Sequence, residues 1–192
     1  MAREARAQAA TAASIVTAFR ANEPSWVTLP SVDGDMPGEL RTALEDFHAG
    51  ERPAARAAAE WLRTQAVPAH QTSRTHLLIA GHRLAGFYSL ASAQVELSQR
   101  DRRRVGVDPV RVPAALITWI AKDERAEIHG RELLLHAVAV SRRAAELQAT
   151  TVLVVDPFDD DTSAMWRERY GFRPSADDRK PKRLWLPLQA LA

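Results

Sequence analysis

The run Lys122-Asp123-Glu124-Arg125-Ala126-Glu127-Ile128-His129-Gly130-Arg131 is polar, holds a single glycine and lies between two apolar stretches. If a helix begins at Gly130, its first N–H groups have no intrahelical partners and point out of the run, which suits an anionic phosphate. A second group with chemistry to offer is Arg100-Asp101-Arg102-Arg103-Arg104. Arg100, Arg102, Arg103 and Arg104 are suited to gripping the phosphates of RNA, or else form a solvated loop. Lys180, Lys182 and Arg183 are a further basic group with the same two readings. Asp159-Asp160-Asp161 invites a cation, but hard cations need several converging oxygens and no other acidic cluster accompanies this one. Acids at a helix start also favour the macrodipole without any metal. The histidines show no zinc spacing, His129 being the one placed in the polar turn, and the chain has no cysteine. No metal site and no disulfide is expected.

These groups need elements to hold them. Val112 to Ala121 reads as a buried strand, and Leu133, Ala137, Val140, Ala144 and Leu147 recur at the spacing of one helical face. Thr151 to Val155 is almost purely β-branched, a strand packed on both faces. Upstream, Glu39–Phe47 and Pro53–Gln65 read as two helices, with Pro53 suited to a first turn. Thr75–Ala80 and Leu84–Val95 form a hairpin about Gly81-His82. Downstream, Asp161 is expected to cap a helix over Thr162–Tyr170. Arg183–Leu188 is expected to close the chain as an edge strand, its pairing ended by Pro187. Alternating strands and helices make this an α/β chain. Ala2 to Arg20 is alanine-rich, a helix with Ile15, Val16 and Phe19 as sparse anchors. Asn22 to Gly38 carries three prolines and two glycines around Trp26 and reads as a linker that Trp26 plugs onto the rest. The expected organisation is an extension over 1–38 and a domain over 39–192.

Composition narrows the function classes. A chain of 192 residues can bury a core, and Met1 to Gln8 contains no apolar signal core. No run is long and apolar enough for a membrane, so no membrane partner is expected and the cytoplasm is the expected location. Lys and Arg number 26 against 24 Asp and Glu. That balance permits a nucleic-acid partner through local patches and does not demand one.

The turn and its flanks resemble the GNAT acetyltransferase superfamily. Arg125 and Gly130 keep the first and last positions of that superfamily's phosphate loop, and Ile128 stands where its first glycine is expected. Phe47 through Gly50, Glu60-Trp61-Leu62, Ser73-Arg74-Thr75, Gly86-Phe87-Tyr88-Ser89-Leu90 and Val112-Pro113 follow in an order similar to the GNAT toxins of bacterial toxin–antitoxin pairs. The resemblance spans roughly residues 45 to 175. It implies a GNAT fold: a mixed twisted sheet whose fourth and fifth strands splay apart, flanked by helices. The cofactor implied is acetyl-CoA, or another acyl-CoA. Main-chain groups of Ile120, Ala121 and Lys122 would meet its pantetheine arm, and Arg125, Ala126, Glu127, Ile128, His129, Gly130 and Arg131 its pyrophosphate. The implied activity is acetylation of the α-amino group of aminoacyl-tRNA, by a homodimer paired with a small antitoxin protein.

One departure bears on catalysis. The resembling toxins take the acid for the departing thiolate from the tyrosine of a Phe-Tyr pair in the last helix, before a Gly-Phe. Here Met165-Trp166 occupies that pair, ahead of Gly171-Phe172. An indole N–H donates a hydrogen bond but does not deliver a proton. Tyr170, one helical turn on, offers a hydroxyl from a similar face. Trp166 and Tyr170 are therefore the catalytic candidates. Two further readings stay open: a degenerate GNAT-fold protein that binds without turnover, and a small-molecule N-acyltransferase.

Overall fold

Apolar periodicity decides most of the elements. The computed structural model describes residues 12–21, 23–29 and 36–190. Helix α1 (residues 12–20) precedes strand β1 (Ser25–Thr28), helices α2 (Gly38–Asp46) and α3 (Pro53–Thr64), and the hairpin β2 (Arg74–Ala80) and β3 (Arg83–Glu96). Then come α4 (Gln99–Val105), β4 (Arg111–Lys122), α5 (Gly130–Leu147), β5 (Val152–Val155), α6 (Asp160–Tyr170), β6 (Arg173–Pro174) and β7 (Leu184–Pro187). The strands hydrogen-bond in the order β1-β2-β3-β4-β5-β7-β6. The sheet is mixed: β4 and β5 run parallel, whereas β1 with β2, β5 with β7 and β6 with β7 are antiparallel.

The chain divides into two compact units. The first comprises the chain to Ser89 together with Trp119–Leu133. Alternation along β2 sorts its side chains: Leu77 and Ile79 join a cluster with Leu40, Leu44, Phe47, Ala58 and Leu62 from α2 and α3. Leu78 joins Ala85, Ile128 and Leu133 instead. Residues 12–20 are helical as expected, and the part of that expected helix before residue 12 lies outside the described residues. Ile15, Ala18 and Phe19 sit in the first cluster, Ile15 with no exposure, and His82 Nδ1 lies 2.8 Å from the Phe19 carbonyl. The segment read as a linker contains a strand: Ser25 to Thr28 pairs with Ile79 to His76, and the Trp26 ring lies 5.6 Å from Tyr88. A proline on either side and the two glycines that follow mask four strand-forming residues, and the edge of β2 supplies their pairing.

The second unit comprises Leu90–Thr118 and Leu134–Ala192. Val95, Leu97, Val112, Ala114, Val152, Val154 and Trp185 form its core, and all four residues of β5 are buried. In α5, Leu134, Val138 and Ser141 are buried beside the expected Leu133 and Ala137, whereas Leu147 is 91% exposed. The buried stripe is thus broader than one residue per turn and lapses before the helix ends. Three other expectations change here. The arginine run is helical, with Ser98 accepting the Asp101 N–H and Gly106 closing the helix in the left-handed region. Strand β7 is interior, with β5 and β6 on either side. Pro187 does not end its pairing, because the Leu188 N–H reaches the Thr151 carbonyl at 3.2 Å. Helix α6 is capped by Asp159, whose Oδ1 accepts the Thr162 N–H at 2.7 Å, so Asp161 lies inside the first turn.

Candidate functional site

Strand β4 sets the first part of the site. Its pairing with β5 runs from Ala114↔Val152 to Ile117↔Val155, where β5 ends, and β4 continues to Lys122. Main-chain groups of Ile120, Ala121 and Lys122 therefore lie beyond the last β5 pair. Gly86 lets β3 and α5 approach this segment closely: a Cβ there would meet both Leu133 methyls at 3.0 Å and the Ala121 carbonyl at 3.1 Å.

The turn that follows is built around Asp123. Its N–H donates to the Ala85 carbonyl at 2.8 Å, and its own carbonyl accepts the Ala126 N–H at 3.1 Å. The side chain, 5% exposed, accepts the Arg125 N–H and Nε at 2.9 Å on Oδ1, and the His48 N–H at 3.0 Å on Oδ2. Arg125 Nη2 reaches Oδ2 at 2.7 Å. Burial alone would push this carboxyl up, but the hydrogen bonds from Arg125 and His48 together with the Arg125 charge outweigh it and hold it at about 2. Arg125 also donates to the Asp46 carbonyl at 2.5 Å. Its guanidinium therefore ties the turn to the end of α2. Glu124 completes the tie, bonding the His48 carbonyl through its N–H at 2.9 Å and His48 Nδ1 through Oε1 at 2.8 Å.

Ile128 faces inward. It is 8% exposed, among Leu78, Ala85 and Leu133, and Ala126 packs against the same cluster. Among the described residues positive φ occurs only at Gly50, Gly81, Gly106 and Gly171, so Ile128 is unstrained and the turn has no need of a glycine there. Glu127, His129 and Arg131 are exposed. Lys122 Nζ lies 3.3 Å from the Ala126 carbonyl. At the start of α5, the His129 N–H donates to Glu132 Oε1 at 2.9 Å, the acidic half of a capping box, and the Glu132 N–H donates to the His129 backbone carbonyl at 2.9 Å. The Glu132 carboxylate thereby takes one of the amides at this helix start. Gly130 is the first residue of α5.

The catalytic candidates lie on α6. Trp166 is 5% exposed, with its ring 5.3 Å from Tyr170 and 5.0 Å from Phe172. The Gly171 N–H closes the helix on the Arg167 and Trp166 carbonyls, and the Phe172 N–H also meets Trp166. Tyr170 is only partly buried. Among the expected RNA contacts, Arg100, Arg103 and Arg104 are exposed, whereas Arg102 bends back to donate to the Asp108 carbonyl. Arg183 is 7% exposed and grips Asp156 through two bonds of 2.7 and 2.6 Å, with a third to the Gln94 carbonyl. It is a structural ion pair and has no face for RNA. Lys180 pairs with Asp156 and Lys182 with Asp160.

Asp123 is the residue that sequence reasoning missed. Its signal was local: an aspartate two residues before an arginine in a turn after a strand, a pattern in which the carboxylate bonds the backbone two residues on. Among the described residues no three His, Cys, Asp or Glu side chains are placed to share a metal, and no helix is long and apolar enough to cross a membrane.

No protein-family model and no curated protein sequence matches this chain. Solved structures do match. A tyrosine-to-phenylalanine mutant of KacT superposes with a TM-score of 0.68 at 19% identity, covering 86% of this chain and 95% of that one. AtaT complexed with acetyl-methionyl-tRNAfMet gives 0.67 at 20% identity over 86% and 95%. AtaTR bound with acetyl-CoA gives 0.64 at 20% identity over 88% and 95%. A mutant AtaT toxin bound to acetyl-CoA and the C-terminus of the antitoxin AtaR gives 0.63 at 20% identity over 86% and 94%. The mixed sheet, its β4–β5 pair and these superpositions together show that the chain has the GNAT fold found in the toxins KacT and AtaT.

Proposed function

We propose that the protein is an acetyl-CoA-dependent N-acetyltransferase of the toxin type, with the amino group of an aminoacyl-tRNA as acceptor. One observation carries the reading: β4 runs on past its last β5 pair into a turn that opens an 18-residue helix. A strand edge left beside a helix start can hold an amide-bearing arm and a diphosphate together. The residues fit such a cofactor. Ile128 turns into the core and leaves the outer side of the turn to backbone amides. Arg125 holds the turn's shape from behind through Asp123 and Asp46. Main-chain groups of Ile120, Ala121 and Lys122 would bind the arm, and those of Glu127, Ile128, Gly130 and Arg131 the diphosphate, with the His129 N–H joining them once Glu132 releases it and the exposed Arg131 guanidinium adding charge.

When bound, acetyl-CoA supplies an activated acetyl carbon and a thiolate leaving group. The residues must then polarise the carbonyl through backbone N–H groups of β4 and return a proton to the sulfur. Tyr170 is the donor assigned to that proton, held beside Trp166 in α6. The likeness to AtaT and KacT supports tRNA as acceptor and a small antitoxin as partner. A cytoplasmic homodimer is part of the same reading. Calorimetry with acetyl-CoA and transfer of labelled acetyl to charged tRNA test it. The expected result is micromolar binding with acetyl recovered on the aminoacyl amine. Absence of binding at about 1 mM acetyl-CoA would overturn the reading.

The burial of Trp166 at the expected acid position favours a second reading, a GNAT-fold protein that binds without turnover. Acetyl-CoA binding with no transfer to any charged tRNA would decide for it.

A further inference from the structure

The first unit contains an aromatic stack that stops short. Phe47 meets Phe87 edge-on at 5.5 Å, Phe87 lies parallel to Trp61 at 6.1 Å and 12°, and Trp61 lies parallel to Trp119 at 5.6 Å and 21°. The first is an edge-to-face contact and the other two are stacked, the arrangements that ring quadrupoles favour. The inner end is closed, since Phe47 and Phe87 are fully buried. The outer end is Trp119, which is partly exposed and, among the described residues, stacks on no ring but Trp61. Trp119 is on β4, immediately before the Ile120, Ala121 and Lys122 backbone assigned to the cofactor arm. Ala49, Val67 and Ala121 are among the partly buried hydrophobic residues packed on the same cluster.

We infer that Trp119, backed by Trp61, is a specificity surface on which the acceptor lays a planar, uncharged ring close to its reacting amine. The inference rests on the acetyltransferase reading above and names the acceptor chemistry. A large indole held parallel by a second ring keeps its face rigid, so a fourth ring adds to the stack at little ordering cost. The shared chemistry has two sources in an aminoacyl-tRNA: an aromatic amino-acid side chain and the terminal adenine.

The test has a binding arm and a turnover arm. Phenylalaninamide, adenosine and glycinamide are titrated into the acetyl-CoA-loaded protein, with indole fluorescence as the readout. Wild-type protein is expected to bind phenylalaninamide or adenosine and not glycinamide. Trp119→Leu is expected to weaken that binding roughly ten-fold, and Trp119→Phe to restore most of it. In the turnover arm, phenylalanyl- and glycyl-tRNA are compared. If the side chain is the ring, Trp119→Leu raises KM for phenylalanyl-tRNA alone; if adenine is, KM rises for both, with kcat little changed. Thermal melting and acetyl-CoA affinity equal to wild type exclude a folding defect in the variants. Ring ligands that fail to bind wild-type protein, or bind Trp119→Leu equally well, overturn the inference. Ring binding without acetyl transfer overturns only the acetyltransferase reading.

Discussion

At Asp123 a nearly inaccessible carboxylate collects an arginine and two backbone N–H groups, and its worth follows from the proton it refuses. Its folded-state value of about 2 lies below the ordinary 3.8, so the unfolded chain binds that proton more tightly. The stabilisation is complete above about pH 4 and is lost as pH falls through about 2. Asp123→Asn is expected to lower stability by about 2 kcal/mol at pH 7, with the gap narrowing towards pH 2.5 in urea melts. A gap independent of pH would show that packing, not ionisation, is what the carboxylate provides. Arg125→Ala leaves the same carboxylate buried and unpaired, and is expected to cost roughly 3 kcal/mol. Loss of acetyl-CoA binding in that variant is therefore to be judged against its melting temperature, because the residue shapes the turn as well as lying within it. Tyr170→Phe removes only a hydroxyl. It is expected to lower kcat by roughly 100-fold with KM for acetyl-CoA unchanged.

Among the elements, α6 and the β3–β4 contact each hold a local interaction that a single substitution can test. Asp159 closes the α6 N-terminus, so Asp159→Ala is expected to cost about 1 kcal/mol in thermal unfolding. Asp161→Ala should cost far less, since its side chain lies in the first turn and not at the cap. The opposite ranking would move the cap back to Asp161. At Gly86 an added methyl would meet a backbone carbonyl that cannot swing aside as the Leu133 methyls can. Gly86→Ala is expected to destabilise by roughly 1–3 kcal/mol and to displace Ala121, one of the residues proposed to meet the cofactor arm. Its signature is weaker acetyl-CoA binding in a variant that still unfolds cooperatively.

For the molecule as a whole, a net charge of +2 leaves RNA binding to local groups. Arg100, Arg103 and Arg104 are exposed on one short helix, whereas Arg102 and Arg183 are spent on internal partners. Replacing Arg100, Arg103 and Arg104 together by alanine is expected to flatten the plot of log affinity for tRNA against log salt by about 2. Fluorescence anisotropy across a salt series measures this, and an unchanged slope would make α4 a solvated face.

The strand–turn–helix from Val112 to Leu147, the β2–β3 hairpin and the paired helices before it were legible because period-two and period-3.6 apolar patterns and a helix-starting proline are local properties of sequence. Landmarks such as Gly86-Phe87-Tyr88 and Val112-Pro113 carried the fold by another route, their ordered resemblance to the GNAT toxins. Pairing and partner choice are not local. Whether Ser25–Thr28 becomes a strand depends on an open edge of β2, and whether β7 is interior depends on the two-residue strand β6. The turn's first glycine position holds Ile128 without strain because a cavity among Leu78, Ala85 and Leu133 receives its side chain. Arg125, Arg183 and Arg103 are chemically identical in the sequence. Only the tertiary structure, by setting the buried Asp123 beside the first, Asp156 beside the second and solvent beside the third, decided which brace the fold and which stays exposed.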